Sequence, residues 1–176
     1  MDFRIQPFAQ KTRVLLMVSK IGHCLNDLLY RMKAGQLAIE VPLIVSNHPD
    51  FEPLAASYGI PFFHLPILSP VLCDALPGRI INIHHSFLPS FKGARPYHQA
   101  YDRGVKIIGA TAHFATVDLD EGPIIEQQVS RVNHGMDPKD LTVAGSNTEC
   151  LTLATAVKWY SERRVFLNGI KTVVFS

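Results

Sequence analysis

The chain has 176 residues, 47% of them hydrophobic and 18% charged, and its 17 Lys and Arg against 15 Asp and Glu leave a net charge of +2. This is one ordinary globular domain, able to bury roughly 70% of its unfolded surface without a metal or disulfide staple. No basic run exceeds Arg163-Arg164 and no apolar run approaches the ~20 residues of a spanning helix, so a nucleic-acid tether and a membrane anchor have little support. Three cysteines, Cys24, Cys73 and Cys150, contain no CxxC pair and fit a reducing compartment, the cytoplasm. They lie in apolar segments and read as buried packing.

Val14 to Val18 predicts a strand buried on both faces, with Met17 in the core, and Met32 reads as core by the same argument. Leu25, Leu28, Leu29 and Met32 then repeat at helical spacing and predict a helix from Cys24 to Ala34, ending near Gly35. Ile39 to Val45 reads as the second strand. Asp50 is placed to cap a short helix through Tyr58, and Pro61 to Leu65 forms a third strand. A short helix from Ser69-Pro70 precedes the strand Ile80 to Ile83, and Pro96 to Asp102 reads as a helix opened by proline. Ile107 to Val117 and Pro123 to Val132 are strand-like, with a turn-prone Asp118-Leu119-Asp120-Glu121-Gly122 between them. Asp137-Pro138 opens a long helix to about Arg163, and Asn168-Gly169 between apolar runs predicts a closing hairpin.

The alternation of strands and helices predicts an open, mostly parallel, Rossmann-like α/β sheet with an antiparallel addition at the C-terminus. One connection is short. Pro66 to Arg79 must carry a parallel crossover, yet a helix of seven or eight residues spans only ~11 Å against a strand of roughly 17 Å. The crossover is barely feasible by this arithmetic, which leaves a missing strand or helix there as one reading.

The densest chemistry lies in Asn82-Ile83-His84-His85-Ser86. Residues two apart on a strand share a face, so Asn82 and His84 project together, ~6.6 Å apart, while His85 points away. The C-terminal end of a strand is where open α/β sheets place ligands. A carboxylate would orient the imidazole, and Asp118 and Asp120 both lie within reach, which spacing alone does not resolve. His113 fits either a site-orienting or a core role. His84-His85 lacks any accompanying metal-ligand spacing, so no metal is expected. Lys92-Gly93 reads as a surface turn or a lid.

Asn82-Ile83-His84, Ser86 to Gly93, Gly109-Ala110-Thr111-Ala112-His113-Phe114 and Asp120 to Ile125 together resemble the formyltransferase catalytic domain of folate enzymes. Val18 to Arg31 and Glu162 to Gly169 resemble the formyltetrahydrofolate deformylases among them. The resemblance implies the formyltransferase fold over residues 11–176, with 1–10 a remnant linker. It also implies hydrolysis of 10-formyltetrahydrofolate to tetrahydrofolate and formate, in a homo-oligomer, with folate as substrate and no separate cofactor. It assigns Asn82, His84 and Asp120 as catalytic, the first two stabilising the oxyanion and Asp120 positioning or deprotonating water. Leu68, Thr116, Val117 and Leu119 become pterin contacts.

A phosphoribosylglycinamide formyltransferase is the alternative. The turn Ser19-Lys20-Ile21-Gly22-His23 has one glycine where a phosphate nest would need more, which favours water as acceptor. Against the family pattern, the chain starts at the linker after a small-molecule-sensing domain of the ACT type. Between Pro66 and Ile67 it also lacks roughly thirty residues, one βα step. That second departure coincides with the short crossover, and makes an internally deleted, inactive assembly partner a further expectation.

Overall fold

The computed structural model describes residues 7, 10–65, 70–89 and 96–176. In the N-terminal half, strands β1 (Thr12–Arg13), β2 (Leu16–Val18), β3 (Ile39–Glu40), β4 (Ile44–Ser46) and β5 (Phe62–His64) alternate with helices α1 (His23–Lys33) and α2 (Glu52–Ser57). All pairings here are parallel: β1 with β3, β2 with β4, and β4 with β5. Helix α1 forms because its apolar residues fall on one stripe, and it stops where Gly35 takes φ 74. Leu25, Leu28 and Leu29 of that stripe close on Ile39 and Ile44 in the main core, each worth about 2 kcal/mol of burial.

The second half holds α3 (Pro70–Ala75), β6 (Ile81–His84), α4 (Pro96–Asp102), β7 (Ile107–Phe114), β8 (Ile124–Arg131), α5 (Pro138–Ser161), β9 (Val165–Asn168) and β10 (Lys171–Val174). Strands β6, β7 and β8 form an antiparallel sheet, and β9 and β10 form the expected hairpin, turning where Gly169 takes φ 62. Asp137 caps α5 by accepting from the backbone N–H of Lys139 and Asp140, while the Asp140 carboxylate accepts from the Asp137 N–H. Helix α5 then spans both halves. Leu153 and Val157 enter the α1 core, and Ala156 packs with Ala112, Phe114 and Ile125 of the antiparallel sheet.

The architecture is the expected α/β one, with the antiparallel part already beginning at β6. Several local expectations change. The first strand is not continuous from Val14 to Val18 and not buried on both faces: Leu15 is 42% and Met17 39% exposed. Among the described residues β2 has a hydrogen-bonded neighbour on one side only, so its other edge opens onto a cavity and Met17 lines it instead of packing in the core. The second strand splits into β3 and β4 around Val41-Pro42-Leu43, where proline has no N–H to give a ladder. Asp50 caps nothing with its side chain, because the turn begins one residue earlier, at Pro49 after His48.

A cavity of about 760 Å³ lies between β2 and β6, walled by Leu16, Met17 and Val18 on one side and Ile81, Asn82 and Ile83 on the other. The parallel and antiparallel sheets are therefore joined through α5 rather than by strand pairing across this space. Residues 66–69, the first part of the short crossover from Pro66 to Arg79, lie outside the described residues.

Candidate active site

Strand β6 carries Asn82 and His84 on one face, and its antiparallel register sets Asn82 opposite His113 and His84 opposite Thr111 of β7. The segment after β6 is pinned to β7 by Thr111, whose hydroxyl donates to the Ser86 carbonyl at 2.8 Å and accepts from the Leu88 N–H at 3.1 Å. The turn after β7 returns Asp120 to the same place. Its carboxylate stands between two imidazoles, 3.1 Å from His84 Nδ1 and 3.6 Å from His113 Nε2. Asp120 pays for this position with φ 58, a left-handed conformation that costs most residues of order 1–2 kcal/mol and that aspartate tolerates better than most. Gly122 lets the turn close: a Cβ there would sit 1.7 Å from the Phe114 carbonyl oxygen.

The hydrogen bonds fix the tautomers. His113 Nδ1 lies 3.0 Å from the Phe114 carbonyl, which only accepts, so Nδ1 carries the proton. Its Nε2 then accepts from Asn82 Nδ2 at 3.3 Å. Asn82 Nδ2 has two hydrogens, and this bond uses one. His84 donates Nδ1–H to Asp120, which leaves Nε2 as an acceptor, buried and without a partner among the described residues. Burial is the main influence on His84 and holds its pKa below the usual 6.5, outweighing the opposite pull of Asp120. The result is a neutral imidazole whose free nitrogen is basic, backed by a carboxylate.

Asp118 is exposed and accepts from Thr116 through its carbonyl, so Asp120 is the aspartate that reaches His84. Asn82, Thr116 and Val117 line the large cavity, while Asp120 lines a second one of about 320 Å³ with Leu88, Gly122 and Ile170. Leu119 stands away from both sets, 83% exposed. Leu68 and Lys92-Gly93 lie outside the described residues. His85 does not point away from His84. The rings stack at 5.0 Å, because β6 ends at His84 and strand alternation lapses at the next residue. His113, with either role open from the sequence, is a core residue and also the hydrogen-bond partner of Asn82 beside the Asp120 carboxylate.

The formyl transferase family profile matches residues 52–157. The formyltetrahydrofolate deformylase of Corynebacterium sp. (strain P-1) is 50% identical, over 99% of this chain and 72% of that protein. The chain belongs to the formyltetrahydrofolate deformylase family. A Synechocystis deformylase is 45% identical over 95% of this chain and 70% of its own length. The crystal structure of the Burkholderia mallei deformylase superposes with TM-score 0.93 at 53% identity, covering 97% of this chain and 72% of that one. A glycinamide ribonucleotide transformylase from Symbiobacterium toebii is more distant, with TM-score 0.85 at 25% identity, over 100% of this chain and 99% of that one.

The Corynebacterium alignment runs over 206 residues, more than the 176 of this deformylase-family chain, so internal positions of that relative face a gap here. The open space between β2 and β6 is where the sheet of this chain is interrupted. At the turn before α1, Gly22 has a packing reason of its own. A Cβ there would lie 2.2 Å from the Phe51 ring, so glycine serves a close approach at this turn.

Proposed function

We propose that this chain hydrolyses 10-formyltetrahydrofolate to tetrahydrofolate and formate, with Asn82, His84 and Asp120 as its catalytic residues. The observation that carries the reading is the buried, unpartnered Nε2 of a neutral His84 backed by Asp120. In this mechanism Nε2 takes a proton from water as the water oxygen bonds to the formyl carbon. The carbonyl oxygen becomes an oxyanion, held by the second Asn82 N–H and by the positive charge now on His84. Asp120 stabilises that charge and keeps the ring in its tautomer. The intermediate collapses as the bond from the formyl carbon to the folate nitrogen breaks, and His84 returns the proton to that nitrogen. Water supplies both the oxygen and the proton, so the step balances. Thr116 and Val117 offer the folate ring an apolar wall, and the substrate is a small molecule met in the cytoplasm.

The test is formate release from 10-formyltetrahydrofolate by the full chain and by Asp120→Asn. The expected result is a loss of at least about 100-fold in kcat, the scale of an acid–base group. Equal, background rates for both would overturn the enzyme reading and leave the assembly-partner alternative, which the interrupted sheet favours. A large rate that appears only when glycinamide ribonucleotide is added would make the chain a transferase.

A further inference from the structure

Away from the His84 site, packing of α1 against α5 gathers a second group of reactive side chains. His23 and Cys24 open α1, and Glu149 and Cys150 lie midway along α5. One ring nitrogen of His23 and the sulfurs of Cys24 and Cys150 all lie within 4.8 Å of one another. His23 Nε2 is engaged, 2.8 Å from Glu149 Oε2. The other nitrogen, Nδ1, is buried and has no partner among the described residues. Glu149 is itself fixed from its far side, where Oε1 accepts from the Tyr97 hydroxyl.

We propose that His23 Nδ1, Cys24 Sγ and Cys150 Sγ form a binding site for a soft divalent cation of the zinc class. The donor set is one imidazole and two thiols with no oxygen, which excludes calcium and magnesium and suits zinc. A carboxylate on the far ring nitrogen of a ligating histidine fixes its tautomer and raises its basicity, and Glu149 stands in that position. Tetrahedral zinc at about 2.3 Å from sulfur needs its donors about 3.8 Å apart, which the 4.8 Å limit approaches within the reach of side-chain rotation. Two thiols bind as thiolates and release two protons, so the charge of the cation is neutralised within the site. His23, Cys24 and Glu149 also line the large cavity, which leaves a fourth position for water or another ligand. Packing alone accounts for two half-buried thiols, but it gives no partner to Nδ1.

The test uses the reduced full chain and needs no catalytic activity. Zn²⁺ titrated against a competing chromophoric chelator is expected to load one ion per chain. Cys150→Ser and Cys24→Ser should each weaken binding more than Glu149→Gln, which should cost roughly 10–100-fold. Cys73→Ser, outside the cluster, should leave affinity unchanged. With Co²⁺ as probe, the unaltered chain should show sulfur-to-metal charge-transfer absorption, a readout that survives even if a variant fails to fold. Co²⁺ bound without that absorption would overturn the proposal, as would equal Zn²⁺ affinity in Cys150→Ser. A reduced chain that takes no Zn²⁺ and, on oxidation, links Cys24 to Cys150 would overturn it in favour of a disulfide.

Discussion

At the scale of single residues, the protonation state of His84 decides the chemistry. Its folded pKa is held below 6.5, first by burial, so the ring is neutral where an ordinary histidine would already be charging. Activity should therefore hold as pH falls to 6.5 and decline with a midpoint below it, measured as kcat/KM against pH. Removing the Asp120 charge removes an influence that raises this pKa, so any residual activity of Asp120→Asn should show its acid limb at lower pH still. Stability follows the same sign. The unfolded chain protonates this histidine near 6.5 and the folded chain only below that, so its contribution is complete above 6.5 and is lost as pH falls toward the folded value. Asn82→Ala removes one oxyanion donor and should cost about 3 kcal/mol of barrier, a few hundred-fold in kcat. KM should change little, which separates this loss from a failure to bind.

At the scale of elements, α5 packs against α1, α4, β6, β7 and β8. Gly145 admits the Tyr97 ring of α4 so closely that a Cβ would stand 2.1 Å from it. That approach aims the Tyr97 hydroxyl at Glu149, one turn further along the helix. Gly145→Ala should destabilise by about 1–3 kcal/mol, since the gain in helix propensity is smaller than the cost of overpacking against a ring. A lowered urea midpoint at unchanged m value would report it. Helix α5 also leaves two apolar side chains, Val143 and Leu151, exposed.

At the scale of the whole molecule, the parallel and antiparallel sheets share α5, and Ile81 and Ile83 of β6 pack against both cores. Leu153 belongs to the core of the first sheet and Ala156, less than one turn away, to that of the second. The two halves should therefore unfold in one step. Fluorescence of Trp159, the single tryptophan, and far-ultraviolet circular dichroism should give coincident urea transitions. Leu153→Ala should lower both together, by about 2–5 kcal/mol. Separate midpoints would show that the space between β2 and β6 divides the chain into independent units.

The sequence by itself determined the order of strands and helices, though not the breaks within the first two strands. Local signals suffice for the α1 stripe, the Asp137 cap and the Asn168-Gly169 hairpin, because each is written within a few residues. It also made Asn82 and His84 partners on one strand face, and resemblance chose Asp120 over Asp118. Only the tertiary structure decided what surrounds them. His113 became the partner of Asn82 because an antiparallel register set it opposite, a pairing 31 residues apart that no local pattern encodes. Met17 lost its place in the core because burial of a strand requires neighbours on both edges. Cys24 and Cys150 are far apart in the sequence, and they meet because two apolar helix faces close on one another, carrying the polar residues at their margins into contact.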